Sequence, residues 1–182
     1  MAILPITIYG DEILKKQTNP VQQVDDKIVG LIRDMFETMR NASGVGLAAN
    51  QVGVDKSIFV IDLKPVEGYE DSKPVVMINP EIILRSEEQV IYEEGCLSLP
   101  NLHAEVERPE IIKIKYLDTD EKEHEIEADE FFARVILHEY DHLLGKMIPD
   151  RVDKEIKASL KDDLILIKER KAVANYPITE KK

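Results

Sequence analysis

A chain of 182 residues is the length of one domain, with enough material to bury a sizeable core, and its 43% hydrophobic content is that of a folded globular protein. No apolar run approaches the roughly 20 residues of a membrane helix, and the single cysteine, Cys96, excludes a disulfide framework. The net charge of -12 and pI near 4.8 argue against a nucleic-acid-binding domain, so no DNA partner is expected.

The opening stretch "MAILPITIYGDEILKK" has no basic start, no adequate apolar core and no small-residue cleavage site. It therefore does not read as a signal peptide, and the expected compartment is the cytoplasm. The first strong helix signal is "DDKIVGLIRDMFETMRNASG", in which Ile28, Leu31, Ile32, Met35, Phe36 and Met39 recur at helical spacing. Asp25 or Asp26 caps its start, and Asn41 to Gly44 end it. The small, glycine-rich "GVGLAANQVGVDK" follows. "SIFVID" (57–62) reads as a strand, 64–74 as a loop, and "VVMINPEIIL" (75–84) as further strand interrupted by Pro80. Cys96 is expected in a short irregular segment after a glycine. "IIKIKYL" (111–117) alternates, "DTDEK" turns the chain and "HEIEA" returns it, a hairpin pattern.

Asp129 is placed to cap a second helix, "EFFARVILHEYDHLL", with Gly145 at its C-terminal end. A last helix is expected from about Asp153 to Ala172, with Ile156, Leu160, Leu164 and Ile167 on one face, followed by a flexible tail over 175–182. Strands and helices mix without regular βαβ alternation, so the fold class is α+β in a single domain spanning 1–182.

The chemistry concentrates in "HEYDH" (138–142). On a helix, His138 and His142 share a face and offer two imidazoles to one ion. Glu139 lies about 100° further round, where it reaches a water on the ion rather than the ion itself. Two imidazoles are an incomplete site, because catalytic zinc-type centres take three protein ligands and keep one position open. Residue 148 is Ile, which removes the histidine ligand of one large peptidase group. Cys96 is the preferred third ligand, with Glu169, His103 and His124 as alternatives. Phe131, Arg134 and Val135 share the His138 face, and with Val45 they are candidates to line a pocket; Phe131 and Val135 also suit plain core positions. Gly44 and Gly46, lacking side chains, would let an extended substrate approach the backbone closely.

"GVGLAANQ" (44–51), "EGCLS" (94–98) and "HEYDH" (138–142) together resemble the three signature motifs of the peptide deformylase family, in the family's order. The resemblance covers almost the whole chain. It implies removal of the N-formyl group from the initiator methionine of new polypeptides, with release of formate. It implies an α+β fold in which antiparallel strands pack around the metal-binding helix, with a helix at the C-terminus. It implies Cys96, His138 and His142 as ligands of one divalent ion. Fe2+ would be the native ion, with Zn2+, Ni2+ or Co2+ as substitutes. Glu139 would be the general acid/base, and Gln51 with the backbone N–H of Leu97 would hold the oxyanion. Three positions depart from the family's usual residues: Asn50, Leu137 and His103. Two other readings use the same histidines: a zinc peptidase with Glu169 as third ligand, and a binding domain with a structural metal.

Two further expectations concern charge. The resemblance implies that Asp141 and Arg108 pair and fix the helix against the strand region, an outer support that metal ligands usually need. Residues 154–182 hold eight Lys/Arg against five Asp/Glu, a net of +3, which leaves -15 on residues 1–153. The resemblance implies that this basic end could dock on the ribosome, where the substrate emerges.

Overall fold

The computed structural model describes residues 2–180. Helix α1 spans Asp26–Asn41, and Asp25 caps it by accepting from the Ile28 N–H. The chain then lays down strands β1 (Gly46–Ala48), β2 (Ile58–Ile61), β3 (Val75–Arg85), β4 (Gln89–Cys96), β5 (Leu99–Pro109), β6 (Ile112–Leu117) and β7 (Glu123–Ala128). Helix α2 runs over Glu130–Leu143, and two short helices, α3 (Lys154–Ser159) and α4 (Lys161–Lys168), follow. Five strands form one antiparallel sheet in the order β1-β2-β3-β6-β7, and β4 and β5 form a separate long hairpin. The α+β class is as read from the sequence.

The period-2 alternation of the strands decides which helix each face meets. Phe59, Ile61, Met77, Ile112 and Ile114 pack with Ala133, Ile136 and Leu137 of α2. Ile58, Val60 and Ile78 pack with Ile32, Met35 and Met39 of α1. The five-stranded sheet is thus covered by a helix on each face. A third cluster joins Leu99, Leu102, Ala104 and Val106 of β5 to Leu160, Leu164 and Ile167 of the C-terminal helices.

Several expectations are corrected. Cys96 closes strand β4, at a register irregularity between Gly95 and Cys96, and does not lie in an irregular segment. Bulges of this kind re-aim a side chain. The last helix is two helices that meet at Leu160, where ψ of -6° interrupts the ladder. It also stops early, because Arg170 adopts a left-handed φ of 58° and its guanidinium bonds Asp11 and the carbonyl of Thr179. The flexible tail is replaced by a docked segment over 175–180: Ile6 donates to the Pro177 carbonyl at 2.9 Å and accepts from the Thr179 N–H at 2.9 Å. The last two tail positions, 181 and 182, lie outside the described residues. Asp129 occupies the N-cap of α2 but makes no side-chain capping bond.

Gly145 ends α2 with φ of +70°, and a Cβ there would meet the Lys15 backbone at 2.6 Å. Both the backbone conformation and the close approach require glycine.

Candidate metal centre

Helix α2 presents His138 and His142 on one face, and the end of β4 delivers Cys96 to them. Cys96 Sγ lies 3.3 Å from His142 Nε2, which lies 3.3 Å from His138 Nε2. Among the described residues, these three make the one group of metal-type donors, with ligand atoms all within 4.8 Å of one another. Two nitrogens bound at about 2.0–2.1 Å to a tetrahedral ion stand roughly 3.3–3.4 Å apart. The spacing and the donor set therefore fit a thiophilic divalent ion and leave a fourth position free.

The two imidazoles differ in their electrostatics. Burial opposes a proton on His138, yet its contacts with Cys96 and Glu94 raise its pKa well above the ordinary histidine value. Burial, together with the charge on His138, pushes His142 well below it. A proton is therefore favoured on His138 and disfavoured on His142.

His138 is oriented by its other ring nitrogen, with Nδ1 3.0 Å from Glu94 Oε2, leaving Nε2 for the cluster. Nothing in the sequence alone distinguishes Glu94 from its acidic neighbour Glu93. Glu94 is two residues before Cys96 on β4, and it is buried. Burial alone would raise the Glu94 carboxyl, but hydrogen bonds from Arg108 and His138 hold it well below the usual carboxylate range. Arg108 donates to both Glu94 oxygens at 2.6 and 2.9 Å and to Asp141 Oδ2 at 2.7 Å. The Asp141–Arg108 pair therefore forms, and Arg151 completes it from the far side. Arg108 has this reach because β5 alternates: Leu102, Ala104, Val106 and Arg108 point inward while His103, Glu105 and Glu107 point out.

Glu139 is buried beside the cluster, and burial pushes its carboxyl up to about 7. Its Oε2 has no hydrogen-bond partner. Its Oε1 lies so near Gly46 that a Cβ there would sit 2.4 Å away. Gly46 therefore makes room for this carboxylate. Gln51 is buried with Nε2 3.1 Å from Ser98 Oγ and 3.7 Å from Cys96 Sγ, while its Oε1 accepts from the Ala48 N–H at 2.8 Å. That backbone bond turns the amide N–H groups toward the cluster.

A cleft of about 420 Å³ opens on these groups. Gly44, Val45, Gly46, Phe131, Arg134 and Val135 all line it, and so do Cys96, Leu97, His138 and Glu139. Gln51 lies behind it. Arg134 does more than cover the pocket: its guanidinium is buried, bonds Glu94 and the carbonyls of Val90 and Val106, and sits 5.2 Å from the Tyr92 ring. His103 lines the cleft without joining the donor group, and His124 is away from it, bonded to Asp118 and stacked on Tyr116. Glu169 lines a different cleft, beside Asp11 and Lys168.

A sheet-and-helix body that brings two imidazoles, a thiol and a buried carboxyl to one cleft is the build of a metal-dependent hydrolase. Residues 3–158 match the family model described as polypeptide deformylase. A peptide deformylase of Rickettsia canadensis is 47% identical over 178 residues, covering 96% of this chain and 99% of the relative. One from Prosthecochloris aestuarii is 42% identical, covering 98% and 95%. The structure of peptide deformylase from Ehrlichia chaffeensis in complex with actinonin superposes with a TM-score of 0.85 at 37% identity, covering 95% of this chain and all of that one. The chain belongs to the polypeptide deformylase family.

Proposed function

We propose that Cys96, His138 and His142 hold one divalent ion, natively Fe2+ with Zn2+, Ni2+ or Co2+ as substitutes, and that the groups around it hydrolyse the formyl amide. The enzyme is a peptide deformylase, a metal-dependent hydrolase that removes the N-formyl group from formyl-methionine at the start of new polypeptides. The observation that carries the site assignment is the convergence of the three donor atoms beside a buried, unpartnered carboxylate oxygen.

When bound, the ion supplies Lewis acidity at the formyl carbonyl and at the attacking water. Glu139 takes a proton from that water as its oxygen bonds to the formyl carbon. Charge then grows on the carbonyl oxygen, where the Gln51 side-chain amide and the Leu97 N–H donate to it; one such donor contributes ~3–4 kcal/mol. Glu139 returns the proton to the departing amine as the C–N bond breaks, giving formate and a free N-terminus. A carboxyl that burial brings to about 7 is suited to both transfers near neutral pH. Val45, Phe131 and Val135 give the methionine side chain an apolar surface along the cleft.

The donor group has three members, which disfavours a closed structural site, and Glu169 lies outside it, which disfavours the peptidase with that ligand. The test is formate release from a formyl-methionyl peptide by anaerobically purified protein, with metal analysis of the same sample. Cys96→Ser should lose both metal and turnover. Cleavage of internal peptide bonds, or full metal content in Cys96→Ser, refutes the assignment. Docking on ribosomes through the C-terminal helices belongs to the same proposal; exposed Lys154, Lys157, Lys161 and Lys168 lie on α3 and α4.

A further inference from the structure

The family model matches through residue 158, yet the cleft is lined by four residues beyond it, Val173, Ala174, Asn175 and Tyr176. Two bonds hold this segment across the mouth. The Tyr176 hydroxyl donates to the Leu97 carbonyl at 2.8 Å, and Asn101 Nδ2 donates to the Val173 carbonyl at 2.7 Å. Leu97 and Asn101 flank the start of β5, next to Cys96. The segment is fixed at its far side as well, by the backbone bonds of Ile6 to Pro177 and Thr179.

The composition of the rim points to an occupant. Val173 is 72% exposed and Tyr92 is 54% exposed, and both line this cleft, one from each bank. Apolar groups exposed at the rim of a cleft are placed to touch what enters it. Val45, Phe131 and Val135, proposed above for the methionine side chain, are by contrast half-buried or buried. We infer that the C-terminal segment 173–176, clamped by Tyr176 and Asn101, is the outer wall of the substrate cleft and contacts apolar side chains downstream of the formyl-methionine. The inference rests on the deformylase reading. It makes Val173 a specificity-determining residue, and Tyr176 and Asn101 positioning residues.

The clamp can be released without emptying the wall. Tyr176→Phe deletes only the hydroxyl. Asn101→Asp is isosteric, removes the donor, and keeps a residue tolerant of the left-handed φ of 60° found there. The experiment compares two substrates: formyl-methionine amide, with nothing downstream, and a formyl-methionyl tripeptide with apolar second and third residues. The parent chain should prefer the tripeptide. In the double variant, and in Val173→Asp, the ratio of kcat/KM for tripeptide over amide should fall about tenfold, the low end of what one apolar contact contributes to discrimination. The fall should appear in KM, as for lost ground-state contact.

Thermal unfolding of each variant accompanies the kinetics. An unchanged ratio overturns the inference, whether both rates fall together, as for a purely structural strap, or neither falls. A parent chain that prefers the bare amide overturns it too. A parent chain that releases formate from neither substrate refutes the deformylase reading, and the wall assignment with it. A lost ratio with retained turnover of the amide supports both.

Discussion

Glu139 neighbours a ligand in sequence, but the helix turns its carboxylate against Gly46 and away from the three donor atoms. Its removal should therefore leave the metal in place. Glu139→Ala is expected to keep full metal content by elemental analysis and to lose about 10²–10⁴ in formate release, the usual contribution of a positioned general acid/base. Metal loss in that variant would mean the carboxylate is a ligand. Gly46→Ala tests the same contact from the other side. The new Cβ would lie 2.4 Å from Glu139 Oε1 and must displace it, and a shift near 1 Å in a catalytic group costs on the order of 10² in rate. We expect kcat to drop with metal content unchanged; a wild-type kcat would show that the carboxylate position is not critical.

At the scale of elements, α2 is held to the β4–β5 hairpin by two buried cations, Arg134 of α2 and Arg108 of β5. Arg108 lies between Glu94 of β4 and Asp141 of α2, all three at most 6% exposed. Such a set contributes little relative to an apolar packing of the same volume, but removing one member leaves charges buried without a partner. Arg108→Met takes two bonds from Glu94 and one from Asp141, leaving Glu94 with Arg134 and His138 and Asp141 with two bonds from Arg151. The expected loss is ~3–5 kcal/mol of unfolding free energy in urea. Metal affinity should fall about 10–100-fold, because Glu94 also orients His138. A double-mutant cycle between Arg108→Gln and Asp141→Asn should show coupling of at least ~0.5 kcal/mol; additive effects would dissolve the brace. The C-terminal segment offers a pH signature. Burial, with the charge of Cys96 adding to it, pushes Tyr176 up to about 12. Below the unfolded tyrosine value of ~10, both states keep the proton and this group gives no slope. Above it the unfolded chain binds fewer protons, so stability falls with rising pH until Tyr176 ionises in the folded state. Tyr176→Phe should flatten that alkaline loss and remove the last tyrosine step from the ultraviolet titration.

On the scale of the whole molecule, the C-terminal helices are part of the core and not an appendage. Leu160, Leu164 and Ile167 cover β5, and each such burial stabilises by ~1.5–3 kcal/mol. A chain ending at Asp153 forfeits several of the ~5–15 kcal/mol that hold a typical domain. It should be unfolded or expanded by circular dichroism, and a natively folded truncation would contradict the packing described. Ribosome docking is therefore better tested by changing charge. Lys154→Glu with Lys157→Glu and Lys161→Glu alters exposed positions on α3 and α4 only. If phosphate contacts hold the chain on ribosomes, the parent should co-sediment at low salt, lose this steeply as salt rises, and outlast the triple variant. Equal sedimentation of the two would remove the idea.

The sequence by itself determined what is local. Helical spacing in "FFARVILHEYDH" puts two imidazoles on one face whatever surrounds them, and period-2 alternation fixes which side of β6 is buried. It also determined the family, because three motifs in order are a one-dimensional property. What it left open is what long-range contact decides. The separation of Cys96 from His142 in sequence says nothing of a 3.3 Å approach in space. That approach depends on a hairpin whose register shift falls at the cysteine. Glu94 read as one acidic residue among many until Arg108, Arg134 and His138, from three other stretches of chain, surrounded it. The terminal helix had no sequence reason to break at Leu160 or stop at Lys168; packing on β5 and the tie from Arg170 to Asp11 outweigh its propensity. The tail, polar and short, looked free because its partners, Ile6 and Leu97, are far away along the chain and adjacent only in the folded molecule.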